Sequence, residues 1–208
     1  VLEEGRWLVN PGAVGQPRVG DAPARVSVAH AQAEVGTIQD VAALVGAVKS
    51  RRPDALVHVD AEETAGLLPL SVDDLGCDAL TLAGGTMGAP PWVGALYVRP
   101  GTRLHPLIEG GLQERGKRAG AENVPGIVAL GEAARLAAGE MDGRARRMRE
   151  LRDGLIAALL AIPDVRLNGP RGERRLPGHV QVSVGGVEAE SLVLALAARG
   201  VAASPGSA

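Results

Sequence analysis

Four short apolar runs, each bounded by turn residues, constrain this chain more than any other feature: Arg25–Ala29, Ala55–Val59 just ahead of Asp60, Ala79–Leu82 and Gly94–Val98. Runs of this length and composition read as buried strands. Between the first two lies Asp40–Arg52, whose Val41, Leu44, Val45 and Val48 recur at helical spacing, with Asp40 placed to cap the first turn. Short apolar strands alternating with helices predict a mostly parallel or mixed sheet covered on both faces, an α/β fold. The core must be packed from small aliphatic side chains, because the 208 residues are 46% hydrophobic and contain no Phe.

Further along, the pattern turns helical from Val124 to about Ile162. The basic stretch Arg144–Arg152 in this segment is expected to be solvated on one face. Beyond Pro163 come Val165–Leu167, Val180–Val184, a helical stretch near Glu188–Arg199, and Val201–Ala203. That order predicts a small β-β-α-β lobe. The expected organisation is a Gly/Pro-rich segment over 1–24, a partial large domain over 25–135, an interdomain helix over 136–162 and a small C-terminal lobe over 163–208. The opening Val1-Leu2-Glu3-Glu4 lacks a starting Met and reads as the edge of a fragment rather than a signal peptide.

Charge and composition exclude several function classes. With 22 basic and 24 acidic residues the net charge is −2, so nothing draws in nucleic acid or an anionic membrane. One Tyr and two Trp are too few for a base-stacking platform. No apolar run is long enough to span a bilayer. The single cysteine, Cys77, rules out a disulfide framework and suggests a reducing compartment, the cytoplasm. In Leu75-Gly76-Cys77-Asp78 it reads as a small core residue. His30, His58, His105 and His179 lack zinc-ligand spacing, and no metal site is expected.

From about Val26 onward, ordered blocks resemble those of cysteine desulfurases, in the class-V aminotransferase family. His30-Ala31-Gln32-Ala33-Glu34-Val35-Gly36-Thr37 is similar to that family's His-x-Asn-Asn-Glu-x-Gly-Thr, and His58-Val59-Asp60-Ala61 to its His-x-Asp-Ala. Gly94 to Arg99 matches the strand after the cofactor-lysine loop. Gln113-Glu114-Arg115-Gly116-Lys117-Arg118-Ala119-Gly120-Ala121-Glu122-Asn123-Val124-Pro125 resembles Gln-Glu-Arg-Gly-x-Arg-Ser-Gly-Thr-Glu-Asn-Val-Pro. The end, Ser204-Pro205-Gly206-Ser207-Ala208, resembles the segment just before the catalytic cysteine.

The resemblance implies part of a fold type I pyridoxal-phosphate-dependent transferase, a large domain plus a small α+β lobe, acting as a homodimer. It implies removal of sulfur from L-cysteine, leaving alanine and an enzyme persulfide for iron–sulfur cluster assembly or tRNA thiolation through a sulfur-acceptor protein. It assigns Asp60 to the pyridine nitrogen, a role that its place at the end of an apolar strand suits.

The same alignment places altered residues at the other cofactor positions. The family's Ser-x-His-Lys falls on Ala83-Gly84-Gly85-Thr86, so the phosphate-binding serine is Ala83, the ring-stacking histidine is Gly85 and the cofactor lysine is Thr86. The asparagine and glutamine near the ring oxygen fall at Ala33 and Glu63, and the threonine reaching the partner subunit's phosphate falls at Ala121. Threonine has no amine, alanine no phosphate donor, and Glu63 brings a negative charge where a donor is needed. Only Lys49 and Lys117 are present as substitutes, and both read as solvated charges.

Gly84-Gly85-Thr86-Met87-Gly88 is glycine-rich but has neither P-loop nor dinucleotide spacing. Residues 6–25 resemble instead a C-terminal Asn-Pro-Gly-Ser-Val-Gly-Gln-Pro-Arg segment of calcineurin-like metallophosphoesterases. Three readings follow. The chain is a desulfurase-like scaffold or dimer partner without catalysis, part of a working desulfurase, or a phosphoesterase-derived chain. The first predicts self-association through incomplete surfaces.

Overall fold

The computed structural model describes residues 7–10 and 25–206. Within them lie two compact units. The first comprises the residues up to Ala31 together with Gln39–Asp142, and the second Gln32–Ile38 together with Gly143 onward.

The first unit is built on a five-stranded sheet in the order β1-β2-β3-β4-β5. Its strands are β1 (Trp7–Asn10), β2 (Arg25–Ala29), β3 (Leu56–Asp60), β4 (Ala79–Ala83) and β5 (Gly94–Val98). The first four pair in parallel and β5 runs antiparallel to β4, so the sheet is mixed, as expected. The strand β1 falls inside a segment read from sequence as turns. Its four residues Trp-Leu-Val-Asn extend the sheet beside β2. The rest of the phosphoesterase-like stretch, apart from Arg25, lies outside the described residues.

Strand alternation sorts the sheet into two faces. Val26 and Val28 of β2, Val57 and Val59 of β3, and Leu80 of β4 point to one side and are buried. Against them pack Val41 and Val45 of helix α1 (Val41–Arg51), with Leu75 and Cys77 completing the cluster. Cys77 is wholly buried, and burial pushes its thiol pKa up. The α1 N-cap is Asp40, whose carboxylate accepts the Ala43 amide at 3.1 Å. A short helix α2 (Val72–Leu75) leads into β4 and is tied down by Arg99, which donates to the carbonyls of Cys77 and Val72 at 2.8 and 2.9 Å.

Lys49 corrects a sequence expectation. It is not simply solvated. Its ammonium donates to the Ala55 carbonyl at 2.6 Å and to Asp78 at 2.8 Å, and Asp78 also accepts the Val57 amide at 2.7 Å. The pairing works because Ala55 and Asp78 stand just before β3 and β4, beside the last turn of α1.

After β5 come a short helix α3 (Gln113–Gly116) and the 37-residue helix α4 (Val124–Leu160), about 55 Å long at 1.5 Å per residue. The Asn123 side chain accepts the Gly126 amide at 3.2 Å and starts α4.

In the second unit, β6 (Val165–Leu167) pairs antiparallel with β7 (Val182–Val184), followed by α5 (Ala189–Ala197). The expected last strand at Val201–Ala203 does not form; that stretch has no regular structure and is exposed. The loop Gln32–Ile38 joins this unit through backbone bonds from Leu176 to Gly36 at 2.7 Å and from Ile38 to Arg174 at 2.9 Å. Gly36 sits at φ +73°, and a Cβ there would lie 2.5 Å from that of His179. Arg152, read from sequence as part of a solvated basic face, is buried. It donates to the carbonyls of Arg175 and Leu176 at 3.0 and 3.1 Å, which no surface position on α4 would reach.

Candidate functional site

Polar side chains gather where β3 and β4 end. Asp60 is the last residue of β3 and pairs in register with Thr81 of β4. Its Oδ1 accepts the Glu62 amide at 3.0 Å and the Thr81 hydroxyl at 3.4 Å. The Thr81 Oγ1 lies 3.2 Å from Nε2 of His58, and the Nδ1 of His58 lies 2.7 Å from the Ser27 hydroxyl. Four residues on three neighbouring strands therefore form one hydrogen-bonded row. All lie on the face opposite the valine core, where Ser27, His58 and Thr81 are half-buried.

The row was not read from the sequence as a unit, although a signal for it was there. Ser27 sits within Val-Ser-Val, His58 within Val-His-Val and Thr81 within Leu-Thr-Leu. One polar residue at the middle of each of three apolar strands puts all three on one face once the strands align.

The end of β4 and the loop after it carry three of the positions that the family resemblance gives as altered. Ala83 ends β4, and Gly85, Thr86 and Met87 form one 3-10 turn. The Thr86 hydroxyl donates to the Glu62 carbonyl at 2.9 Å, joining this loop to the turn after Asp60. Glu63 stands in that same turn. Asp60, Glu63, Ala83, Gly85 and Thr86 thus stand at the ends of two neighbouring strands and in the loops that follow them. Ala121 lies in an exposed loop, where its carbonyl accepts from Arg118 at 3.0 Å. Ala33 belongs to the second unit.

Neither lysine is shown at this cluster. Lys49 is held by Asp78 before β4, at the opposite end of the strands from Asp60. Lys117 is exposed at the end of α3. Among the described residues no group of His, Cys, Asp and Glu is arranged to hold a metal ion.

His30 lies just beyond β2 and is buried. The Thr64 hydroxyl donates to the Ala61 carbonyl at 3.2 Å, so its oxygen is free to accept from His30 Nδ1 at 3.0 Å. Burial lowers the pKa of His30. Burial also lowers that of His58, with the Asp60 charge opposing it. A histidine whose folded pKa is depressed contributes full stability above its unfolded value of about 6.5 and loses it as pH falls from there toward the folded value. Melting temperature should therefore fall between pH 7 and pH 5. The His30→Asn variant should show a shallower fall; an unchanged slope would assign the effect elsewhere.

The family model described as aminotransferase class-V matches residues 15–208. The chain belongs to the class-V aminotransferase family. Among its class-V relatives, the "Cysteine desulfurase IscS" of Dictyoglomus turgidum is 46% identical over 184 residues, 88% of this chain and 46% of that protein. The "Cysteine desulfurase IscS 1" of Archaeoglobus fulgidus is 45% identical over 88% of this chain and 47% of its own length. A solved "NifS-like protein" superposes with a TM-score of 0.83 at 37% identity, covering 86% of this chain and 49% of the other. A NifS-like protein from Rickettsia africae gives 0.81 at 27% identity, with coverage of 88% and 50%. The chain spans about half the length of the relatives it matches, and its α/β fold is that part of theirs.

Proposed function

We propose that this chain derives from a cysteine desulfurase. Such an enzyme uses pyridoxal phosphate to remove sulfur from L-cysteine, leaving alanine and an enzyme-bound persulfide that feeds iron–sulfur cluster assembly or tRNA thiolation. We propose further that the chain as it stands does not carry out this reaction. The observation that carries the second statement is Thr86. At the position where the family has its cofactor lysine, this chain has a hydroxyl that donates to the Glu62 carbonyl.

Pyridoxal phosphate does not fit the residues present. Asp60 keeps the carboxylate for a protonated pyridine nitrogen, and Thr81 and the Glu62 amide orient it. At the other positions that the family resemblance assigns to the cofactor, the chain has alkyl or absent side chains at Ala83, Gly85, Ala33 and Ala121, and a carboxylate at Glu63. A phosphate needs donors and an aldehyde needs an amine. The scaffold has kept its acid and lost the groups for the rest of the cofactor. Incubated with pyridoxal phosphate, the purified chain should show no cofactor absorbance after desalting, and with cysteine it should release neither sulfide nor alanine. Stoichiometric retention of the cofactor would defeat this reading.

A role as scaffold or dimer partner is favoured by a separate observation. Trp92, Leu107 and Leu112 are 94%, 85% and 90% exposed, and Ile108, Val124 and Val128 are exposed too. Large apolar side chains in such number are typical of surfaces that another chain covers. We place the partner as a second copy, in keeping with the homodimer of the family, with a sulfur-acceptor protein as a further partner of the parent enzyme and no nucleic acid. The compartment is the cytoplasm, in keeping with one buried reduced cysteine. Among the described residues no helix is long and apolar enough to cross a membrane. Sedimentation should show mass rising with concentration. A compact monomer at all concentrations would remove the dimer proposal.

A further inference from the structure

The row Ser27–His58–Thr81–Asp60 has the connectivity of an activated nucleophile: a hydroxyl on a base, with the base oriented by a further group. Its hydrogen bonds are consistent in one direction. With the ring proton on Nε2, His58 accepts from the Ser27 hydroxyl at 2.7 Å and donates to Thr81 Oγ1 at 3.2 Å. Thr81 then donates its own proton to Asp60 at 3.4 Å. Ser27 and His58 are also paired in the strand register, so the sheet fixes their separation. Burial favours the neutral imidazole, the form that can take up a proton. Both residues are only half-buried, and on the same face Ala29 and Ala79 project no more than methyl groups.

We infer that Ser27 is a reactive serine, with His58 as its base, that is acylated by small activated esters. The step balances without a cofactor or an oxidant. Ser27 Oγ bonds to the carbonyl carbon of the ester, the ester C–O bond breaks, and the alkoxide or phenolate leaves. The hydroxyl proton passes to His58 Nδ1 and then to the leaving oxygen or to water. Ser27 has β-strand neighbours on both sides, Val9 and His58, so its own amide belongs to the ladder and supplies no oxyanion hole. The expected result is therefore one acylation per chain with slow release, not rapid turnover. Thr81 acts as a positioning residue that holds the His58 tautomer. The acylation step uses no cofactor, although its row shares Asp60 and Thr81 with the proposed pyridine-nitrogen position.

The test is p-nitrophenyl acetate applied to the whole chain, followed by nitrophenolate absorbance and peptide mapping. The expected outcome is a burst of about one equivalent and an acetyl group on the peptide holding Ser27. His58→Ala should slow the burst by about 10²–10⁴, the usual contribution of a positioned base. Thr81→Val should leave the site of labelling unchanged but shift the pH profile of the burst. Acetyl groups found only on Lys49, Lys117 or the N-terminus would overturn the inference. A Ser27→Ala variant that keeps the wild-type burst would do the same, because it would make His58 itself the nucleophile. Mapping of the unmodified chain decides the matter even where a variant fails to fold.

Discussion

Replacing Arg175 with methionine is expected to destabilise the second unit by about 2–4 kcal/mol, a large part of the total stability of a domain this size. Arg175 is 1% exposed. Its guanidinium donates to the carbonyls of Pro170 at 2.6 Å and His179 at 3.3 Å, and to that of Asn168. Among the described residues no carboxylate contact accompanies these bonds, and burial, followed by the nearby Arg152, depresses its pKa. The charge is held instead by a cage of backbone oxygens. Losing the side chain leaves three of those oxygens without their donor, at about 1–3 kcal/mol each. Relief of the buried charge offsets part of that cost. The remainder should appear as a lower urea midpoint, and as faster amide exchange at Leu176, whose N–H donates to Gly36 in the attached loop. Arg175→Lys should lose almost as much, because one ammonium cannot span the planar fork. A methionine variant within about 0.5 kcal/mol of the parent chain, the range of ordinary surface changes, would show that the cage is incidental.

The contrast between what this sequence disclosed and what it hid follows the range of the interactions involved. The strands β2 to β5 were legible because each is an apolar run bounded by turn residues, although β5 is exposed over Gly94–Leu96 and buries none of its residues. Helix α1 was legible because its stripe and its Asp40 cap are local. The positions proposed for the altered cofactor site at Asp60, Glu63, Ala83, Gly85 and Thr86 were named from blocks with fixed spacing, and the fold brings the segments that carry them side by side. Lys49, Arg152 and Arg175 were not legible in the same way. Lys49 and Arg152 look solvated in sequence, and Arg175 carries no local mark of burial, yet their bonds reach Asp78, the Arg175 and Leu176 carbonyls, and the carbonyls of Asn168 and His179. Only the fold supplies those partners. The strand β1 failed for another reason: a four-residue run amid glycine and proline has too little local preference, and pairing with β2 decides it. The same shortage of local signal led to the opposite error at Val201–Ala203, a short apolar run after a helix that suggested a strand where none forms.

Restoring lysine at position 86 alone is expected to recover little cofactor binding. In this chain residue 86 sits in a 3-10 turn and its hydroxyl donates to the Glu62 carbonyl, a bond that Thr86→Lys removes while adding an amine. On the proposed assignment the phosphate would still meet methyl groups at Ala83 and Ala121 in place of two donors. Hydrogen bonds to a charged group are worth about 1.5–3 kcal/mol each, so the pair amounts to about 10²–10⁴ in affinity. The ring would also lack a stacking partner at Gly85. That position has room for one, since a Cβ built there meets nothing within 4 Å. The informative comparison is therefore between Thr86→Lys and the compound variant that adds Ala83→Ser, Gly85→His and Ala121→Thr. Absorbance titration with pyridoxal phosphate should separate their dissociation constants by at least a hundredfold, the compound variant binding more tightly. Two results would refute this. One is equal binding by both variants, which would mean that the scaffold holds phosphate by other groups. The other is a borohydride-stable cofactor adduct on Lys117 or Lys49 of the unmodified chain, accompanied by sulfide release from cysteine, which would mean that an amine far from residue 86 had taken over its role.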